Sequence, residues 1–212
     1  MTRLEIVSDV VCPWCYLGAA NLLHAMAERG ASPFALAWRP FQLDPTIPPE
    51  GLDRTAYMTA KFGDLARLDA AHARLEAMGR AVGLGFRFDL IRRSPNTLDA
   101  HRLLRWAEAE GVQTRAAMTL FARYFERGED VSDPAVLRSA AEEAGMDGAV
   151  VARLLEGDAD RAEVQAEVAA AQASGVTGVP TFLVGGRYAV SGAQPPELWS
   201  RLAAEIDAAV AP

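Results

Sequence analysis

The sequence is poor in the residue types that bind transition metals, with only two cysteines and three histidines among 212 residues. A structural zinc site needs four ligands, usually two cysteine pairs or one pair with two suitably spaced histidines. His24, His72 and His101 match none of these spacings. We therefore expect no metal site within one chain.

Basic residues are also in the minority. The chain has 21 lysines and arginines against 28 aspartates and glutamates, and Lys61 is its single lysine. The formal net charge of -7 argues against nucleic-acid binding, because such binding needs a basic surface that neutralises phosphates. We expect no nucleic-acid partner.

Long apolar runs are missing as well. No stretch of about 18 apolar residues occurs, as a membrane-spanning helix would require. Glu5 and Asp9 interrupt the segment that would have to be the apolar region of a secretory signal. We therefore expect a cytoplasmic protein with no membrane partner. In that compartment a C-x-x-C pair is more often catalytic or metal-binding than a structural disulfide.

The two ends of the chain have the patterns of an α/β unit. Residues 3–11 are rich in β-formers and predict a buried strand, and residues 16–30 predict an amphipathic helix that stops at Gly30. Residues 33–43 return to an alternating, extended pattern. A proline-rich linker, residues 44–53, closes this β-α-β unit.

From Arg54 to about Ser174 the hydrophobic period is helical almost throughout. A helix is expected to start near Ser94 or Asn96, and another has Asp133 as N-cap and Pro134 at its first position.

Beyond Gly175 the β pattern returns. Residues 180–184 and 187–192 flank Gly185 and Gly186, which predicts a hairpin. A last helix follows, with four apolar residues on one face: Leu198, Leu202, Ile206 and Val210.

Both cysteines lie in SDVVCPWCYLG, where the first strand passes into the first helix. Pro13 suits the first helical position, so Cys12 would lie at the positive end of the helix dipole, which favours a thiolate. Cys15 would lie one turn further in and be more shielded. This asymmetry predicts that Cys12 attacks a disulfide and Cys15 resolves the intermediate. Two buried cysteines that serve only in packing remain the alternative.

The segment GVPTF contains a proline at the entry of a strand, where it cannot donate a ladder hydrogen bond. Two interpretations stay open at this point. Pro180 is an edge or turn proline, or the Val179–Pro180 bond is cis and exposes the backbone of Val179.

The order of these features resembles the thioredoxin-fold superfamily and, within it, the DsbA family. CPWC lies at a strand–helix junction, a helical insertion follows, and GVPTF precedes a hairpin and a last helix. The resemblance implies a thioredoxin-like domain of residues 1–50 and 175–212 and a helical insertion domain of residues 51–174. It also implies that Pro180 is cis and packs beside the disulfide, and that the backbone of Val179 pairs with substrate.

Four segments, SDVVCPWCYLG, WRPFQLDP, SPNTLDAHRLLRWA and GVTGVPTFLVGGRYAVSGAQPPE, are similar to the FrnE-like branch of the DsbA family. The glutathione-dependent hydroxychromene-carboxylate isomerases and kappa-class glutathione transferases share the architecture. They have serine in place of Cys12 and usually a Gly-x-Asp-Arg type motif after the hairpin. This chain has Gly-Ala-Gln-Pro at residues 192–195, without the charged pair.

Several other residues have two possible roles. Asn96 and His101 form either a helix cap with a hydrogen-bonded histidine or a pair beside the Cys12 pocket, where the resembled branch has the same motif. Trp14, between the two cysteines, is expected to be partly exposed and to contact substrate together with Pro13.

The remaining histidines and aromatic residues are expected to be structural. His24 lies about three helical turns from Cys12, too far to act as its base, and His72 is expected on a solvated helix face. Four aromatic residues are expected in the core: Trp38, Phe41, Trp106 and Phe125.

The sequence thus predicts thiol–disulfide exchange without a cofactor. The partners would be protein or small-molecule thiols and disulfides, with glutathione or another cellular reductant as electron source, and the chain would be a monomer or homodimer. The direction of electron flow depends on a reduction potential that the residues leave open. Two alternatives remain: a glutathione-dependent isomerase or transferase of a small aromatic substrate, and a non-enzymatic interaction module that uses Trp14 and the insertion.

Overall fold

The structure, a computed structural model, describes residues 1–63 and 65–210. Its strands are β1 (Thr2–Ser8), β2 (Phe34–Pro40), β3 (Leu52–Asp53), β4 (Arg93–Ser94), β5 (Thr181–Val184) and β6 (Tyr188–Ser191). Its helices are α1 (Pro13–Arg29), α2 (Arg54–Phe62), α3 (Leu65–Arg80), α4 (Leu98–Ala109), α5 (Gln113–Arg127), α6 (Pro134–Ala144), α7 (Gly148–Glu156), α8 (Arg161–Ala173) and α9 (Pro196–Val210), with a short 3₁₀ helix at Phe88–Leu90.

One four-stranded sheet joins the two ends of the chain, in the order β2-β1-β5-β6. Strand β1 is parallel to β2, with Ile6 opposite Trp38, and antiparallel to β5, with Ile6 opposite Phe182. Helix α1 connects the two parallel strands and packs against α9. The predicted α/β class and thioredoxin-like arrangement are confirmed.

The segment between β2 and β5 is helical, as predicted, with two additions. Strands β3 and β4 pair antiparallel over two residues each, and the 3₁₀ helix precedes β4. Helix α4 begins at Leu98, later than expected from the sequence, because Ser94 belongs to β4. The domain boundaries at residues 50/51 and 174/175 remain a prediction.

Two turns differ from the sequence prediction. Strand β1 ends at Ser8 instead of Val11, because the chain turns so that the Cys12 amide donates to the Asp9 carbonyl at 2.9 Å. The hairpin loop between β5 and β6 has three residues, 185–187, and both of its glycines have positive φ.

The core is shared between the sheet and the helical segment. Tyr16 of α1 stacks on Phe121 of α5 at a centroid distance of 5.2 Å and meets Phe86 edge-on at 5.5 Å. The four aromatic residues expected in the core are buried: Trp38, Phe41, Trp106 and Phe125.

On the last helix, the side chain of Val210 and all of residues 211–212 lie outside the described residues. No helix in the described ranges is long and apolar enough to cross a membrane.

Candidate active site

The turn after β1 places Cys12 at the N-terminus of α1. Cys12 is the N-cap residue, with extended φ and ψ of -93° and 111°, and Pro13 is the first helical residue, as predicted. No side chain of the described residues caps this end, and the first turn contains no acidic residue. The positive end of the helix dipole is therefore available to a Cys12 thiolate.

The two cysteines, both free thiols, differ in depth. Cys12 is 4% exposed and lines a cavity, whereas Cys15 is fully buried one turn further along α1. Burial raises the pKa of the Cys15 thiol well above its ordinary value, and the neighbouring Cys12 raises it further. The Cys15 thiol therefore resists ionisation unless a nearby opposite charge or a hydrogen bond stabilises the buried thiolate.

The GVPTF segment, which includes Val179 and Pro180, meets the C-x-x-C pair at the Cys12 sulfur. Cys12 Sγ donates a hydrogen bond to the Val179 carbonyl at 3.6 Å, across 167 positions of sequence. The Val179–Pro180 peptide bond is cis. The Pro180 carbonyl accepts a hydrogen bond from the Gly192 amide at 2.8 Å, and this bond holds the backbone at the start of β5. Val179 thus forms one wall of the cysteine site, and Pro180, which follows it in the chain, is buried.

A mainly apolar cavity of about 410 Å³ opens beside Cys12. The thioredoxin-like side contributes Pro13, Trp14 and Val179, and the helical segment contributes residues of α2 and α3, including Met58 and Leu75. Trp14 is half-buried, as expected from its sequence position. A cavity of this size can hold a small molecule within reach of the Cys12 sulfur.

Polar groups lie on the helical side of this cavity. Arg54 donates to the Tyr124 hydroxyl at 3.1 Å. The Tyr57 hydroxyl donates to Asp44 at 2.9 Å, and both burial and this carboxylate raise the Tyr57 pKa. These groups give the apolar cavity a few fixed polar contacts.

His101 and Asn96 both contact the segment that follows β2. His101 Nε2 donates to the Phe41 carbonyl at 3.0 Å and is 3.5 Å from Asp9 Oδ1, while Asp9 itself lines the cavity with Cys12. Asn96 Oδ1 accepts the Leu98 amide at 2.9 Å at the start of α4, and the Asn96 side-chain amide donates to the Ile47 carbonyl at 2.6 Å. His101 thus approaches the site through Asp9, and Asn96 joins the start of α4 to Ile47, which lines the cavity with Cys12.

The prediction of a solvated His72 is wrong. Its ring stacks on Phe88 with the centroids 3.9 Å apart and lines the cavity, because α3 turns this face inward against the 3₁₀ helix. Burial lowers the His72 pKa below its usual value, and Arg54 lowers it further. His24 lies on the surface of α1, 3.4 Å from Glu28.

Sequence reasoning missed two polar residues next to the cysteines, Ser8 and Asp9, because both lie in a segment interpreted as a strand. Both are buried, and Asp9 Oδ2 accepts the Leu43 amide at 2.8 Å. Two consecutive polar residues between Val7 and Val10, just before a C-x-x-C pair, were the available signal, because buried polar groups need partners.

The family model of the DSBA-like thioredoxin domain matches residues 3–203 of this chain. Among solved structures, a probable DsbA oxidoreductase from Streptomyces coelicolor is 32% identical, with a TM-score of 0.86 over 100% of this chain and 92% of its own.

Two more distant structures share the architecture. A 2-hydroxychromene-2-carboxylate isomerase is 18% identical, with a TM-score of 0.71 over 99% of this chain and 100% of its own. The cytosolic disulfide reductase DsbM from Pseudomonas aeruginosa, solved with GSH, is 19% identical, with a TM-score of 0.69 over 97% of this chain and 98% of its own. At such identities the likeness shows the fold alone.

Proposed function

The chain belongs to the DSBA-like thioredoxin domain family, and we propose that it is a thiol–disulfide oxidoreductase in which Cys12 and Cys15 exchange electrons with a substrate disulfide. The observation that carries this proposal is the position of Cys12. Its sulfur lies at a helix N-terminus, 3.6 Å from the Val179 carbonyl and beside an apolar cavity.

The reaction proceeds in two exchanges. The Cys12 thiolate attacks one sulfur of a substrate disulfide R–S–S–R, forms a mixed disulfide and releases one thiolate. The Cys15 thiolate then attacks the Cys12 sulfur, forms the Cys12–Cys15 disulfide and releases the second thiolate. Two electrons pass from the protein to the substrate, and an external thiol reductant returns them. The reverse sequence oxidises a dithiol substrate.

Substrates are small-molecule or protein disulfides that reach Cys12 along the wall formed by Trp14, Val179 and Pro180. Val179 contributes a backbone carbonyl near the sulfur, and Trp14 contributes a half-exposed aromatic surface. The cavity favours a small disulfide with an apolar group. The GSH complex of DsbM supports glutathione as a reductant to test first. We also assign the chain to the FrnE-like branch, on its four matching segments.

The test is a disulfide-reduction assay with glutathione as electron donor, on a small-molecule disulfide and on a protein disulfide. We expect the wild type to be active and Cys12→Ser to fall to the background rate, because serine cannot form the mixed disulfide. Cys15→Ser serves as the matched control, since it retains the attacking sulfur and loses the resolving one.

Two results would contradict the proposal. Activity retained by Cys12→Ser would favour the glutathione-dependent isomerase or transferase class, whose members have serine at this position. No activity in any variant, with Cys12 still open to alkylation, would favour an interaction module.

A further inference from the structure

Ser8, the last residue of β1, has a buried hydroxyl without a clear role in the fold. It is 4% exposed, and its Oγ forms no hydrogen bond of standard geometry with any residue in the described ranges. Its backbone carbonyl is occupied separately, because it accepts the Phe41 amide at 3.0 Å. Buried hydroxyls are almost always paired in folded proteins, so this one needs an explanation.

The neighbour that can use this hydroxyl is the Cys15 sulfur. The Cys12 amide donates to the Asp9 carbonyl, and this turn brings the start of α1 close to the end of β1. Among the groups around the buried Cys15 thiol are the Ser8 side chain and the Asp9 backbone. The Ser8 hydroxyl lowers the Cys15 pKa, as does the Asp9 backbone, while burial and Cys12 raise it more. The hydroxyl thus interacts more favourably with the thiolate than with the thiol.

Building on the oxidoreductase function above, we propose that Ser8 assists the resolving step by donating a hydrogen bond to the Cys15 thiolate. In that step the Cys15 thiol first releases its proton to solvent. The Cys15 thiolate then attacks Cys12 Sγ in the mixed disulfide, the Cys12–S–R bond breaks, and the Cys12–Cys15 bond forms. The departing R–S⁻ takes up a proton from solvent, so electrons and protons balance.

A narrow cavity adjoins the Ser8 side chain. The cavity has a volume of about 10 Å³, close to the space that one water needs, and Ser8 and His101 are among its buried lining residues. The lining also includes four charged side chains: Arg39, Arg105, Glu108 and Glu167.

The resolving step can be timed separately from the first attack. The reduced protein is mixed in a stopped-flow instrument with 5,5′-dithiobis(2-nitrobenzoate), a disulfide whose two halves each give a coloured thiolate on release. The first colour phase reports the attack by Cys12, and the second reports resolution by Cys15. The pH is varied, and wild type, Ser8→Ala and Ser8→Thr are compared.

We expect the first phase to be the same in all three proteins. The second phase should slow about tenfold in Ser8→Ala near neutral pH, in keeping with the loss of one hydrogen bond to a charged group. Its midpoint should move to higher pH, and Ser8→Thr, which retains a hydroxyl, should restore both.

An unchanged second phase in Ser8→Ala across the pH range would overturn the proposal. Equal slowing of both phases would overturn it too, since that is the signature of a distorted fold. Failure of the proposed function looks different: the first phase would then be absent in the wild type itself.

Discussion

At the scale of single residues, the unequal depth of the two cysteines explains their proposed division of labour. Cys12 ends a turn and faces a cavity, while Cys15, one helical turn on, is fully enclosed. A shielded thiol with a raised pKa is a poor first nucleophile, but it lies ready to attack a mixed disulfide at Cys12. The sequence predicted this asymmetry from CPWC at a helix start.

The lowered pKa of His72 allows a test, also at the scale of one residue, of how partial burial affects stability at different pH values. Desolvation, followed by Arg54, lowers its pKa below 6.5, against the opposite effect of Asp69. The unfolded chain therefore binds a proton at higher pH than the folded chain does. The stabilisation from a neutral, half-buried His72 is complete above pH 6.5 and is lost as the pH falls through the folded pKa.

We expect His72→Phe, which retains a ring to stack on Phe88, to lose less free energy of unfolding than the wild type between about pH 7 and about pH 5. Urea titrations at each pH measure this. His72→Gln is the control: it should share the flatter profile but be less stable at every pH, because stacking is lost. A decline in His72→Phe as steep as that of the wild type would contradict the account.

At the scale of secondary-structure elements, the close approach of α1 to the Pro180 segment decides the geometry of the site. A Cβ atom on Gly18 would lie 3.2 Å from Pro180 Cγ, 3.2 Å from Ala193 Cα and 3.3 Å from a Phe182 ring atom. Glycine at this helical position thus allows α1 to pack closely against Pro180, next to the wall that Val179 forms at Cys12.

We expect Gly18→Ala to push α1 away from this wall, to lower the free energy of unfolding by about 1–3 kcal/mol, and to slow disulfide reduction. Chemical denaturation and the reduction assay measure the two effects. Gly157→Ala is the matched control, since a Cβ there meets no atom within 4 Å and φ is -105°. Wild-type stability and rate in Gly18→Ala would contradict this interpretation.

The elements themselves were largely predictable, and the exceptions have physical causes. Val10 and Val11 favour a strand locally, yet the Cys12–Asp9 turn bond ends β1 at Ser8. Strands β3 and β4 pair over two residues each across a long separation, which leaves no periodic signal. Inward rotation of α3 depends on packing against Phe88, so His72 could not be placed from the helical pattern alone.

At the scale of the whole molecule, the Gln113 side chain joins the helical segment to the backbone at the edge of the sheet. Gln113 of α5 accepts the Trp38 amide at 2.8 Å and donates to the Trp38 carbonyl at 3.1 Å, as a neighbouring strand would. This contact satisfies backbone groups of the edge strand β2. Nothing local in the sequence marks Gln113, because its partner lies 75 residues away.

We expect Gln113→Ala to lower the free energy of unfolding by about 3 kcal/mol, because it leaves two buried backbone groups without partners. Thr114→Ala, which removes only the acceptor of the part-buried Trp38 indole N–H, should cost about 1 kcal/mol or less. Urea denaturation of both variants measures this difference. Equal small losses would show that Gln113 does not hold the edge strand.

The central claim is that Cys12 attacks the substrate disulfide and Cys15 resolves the product, and one trapping measurement tests it most directly. Reduced Cys15→Ser is incubated with a labelled small-molecule disulfide, and the adduct is located by peptide mass spectrometry without reductant. We predict a stoichiometric, lasting mixed disulfide on Cys12, with little adduct on Cys15 in the matched Cys12→Ser protein. No adduct on Cys12, or equally fast labelling of Cys15 in Cys12→Ser, would contradict the account.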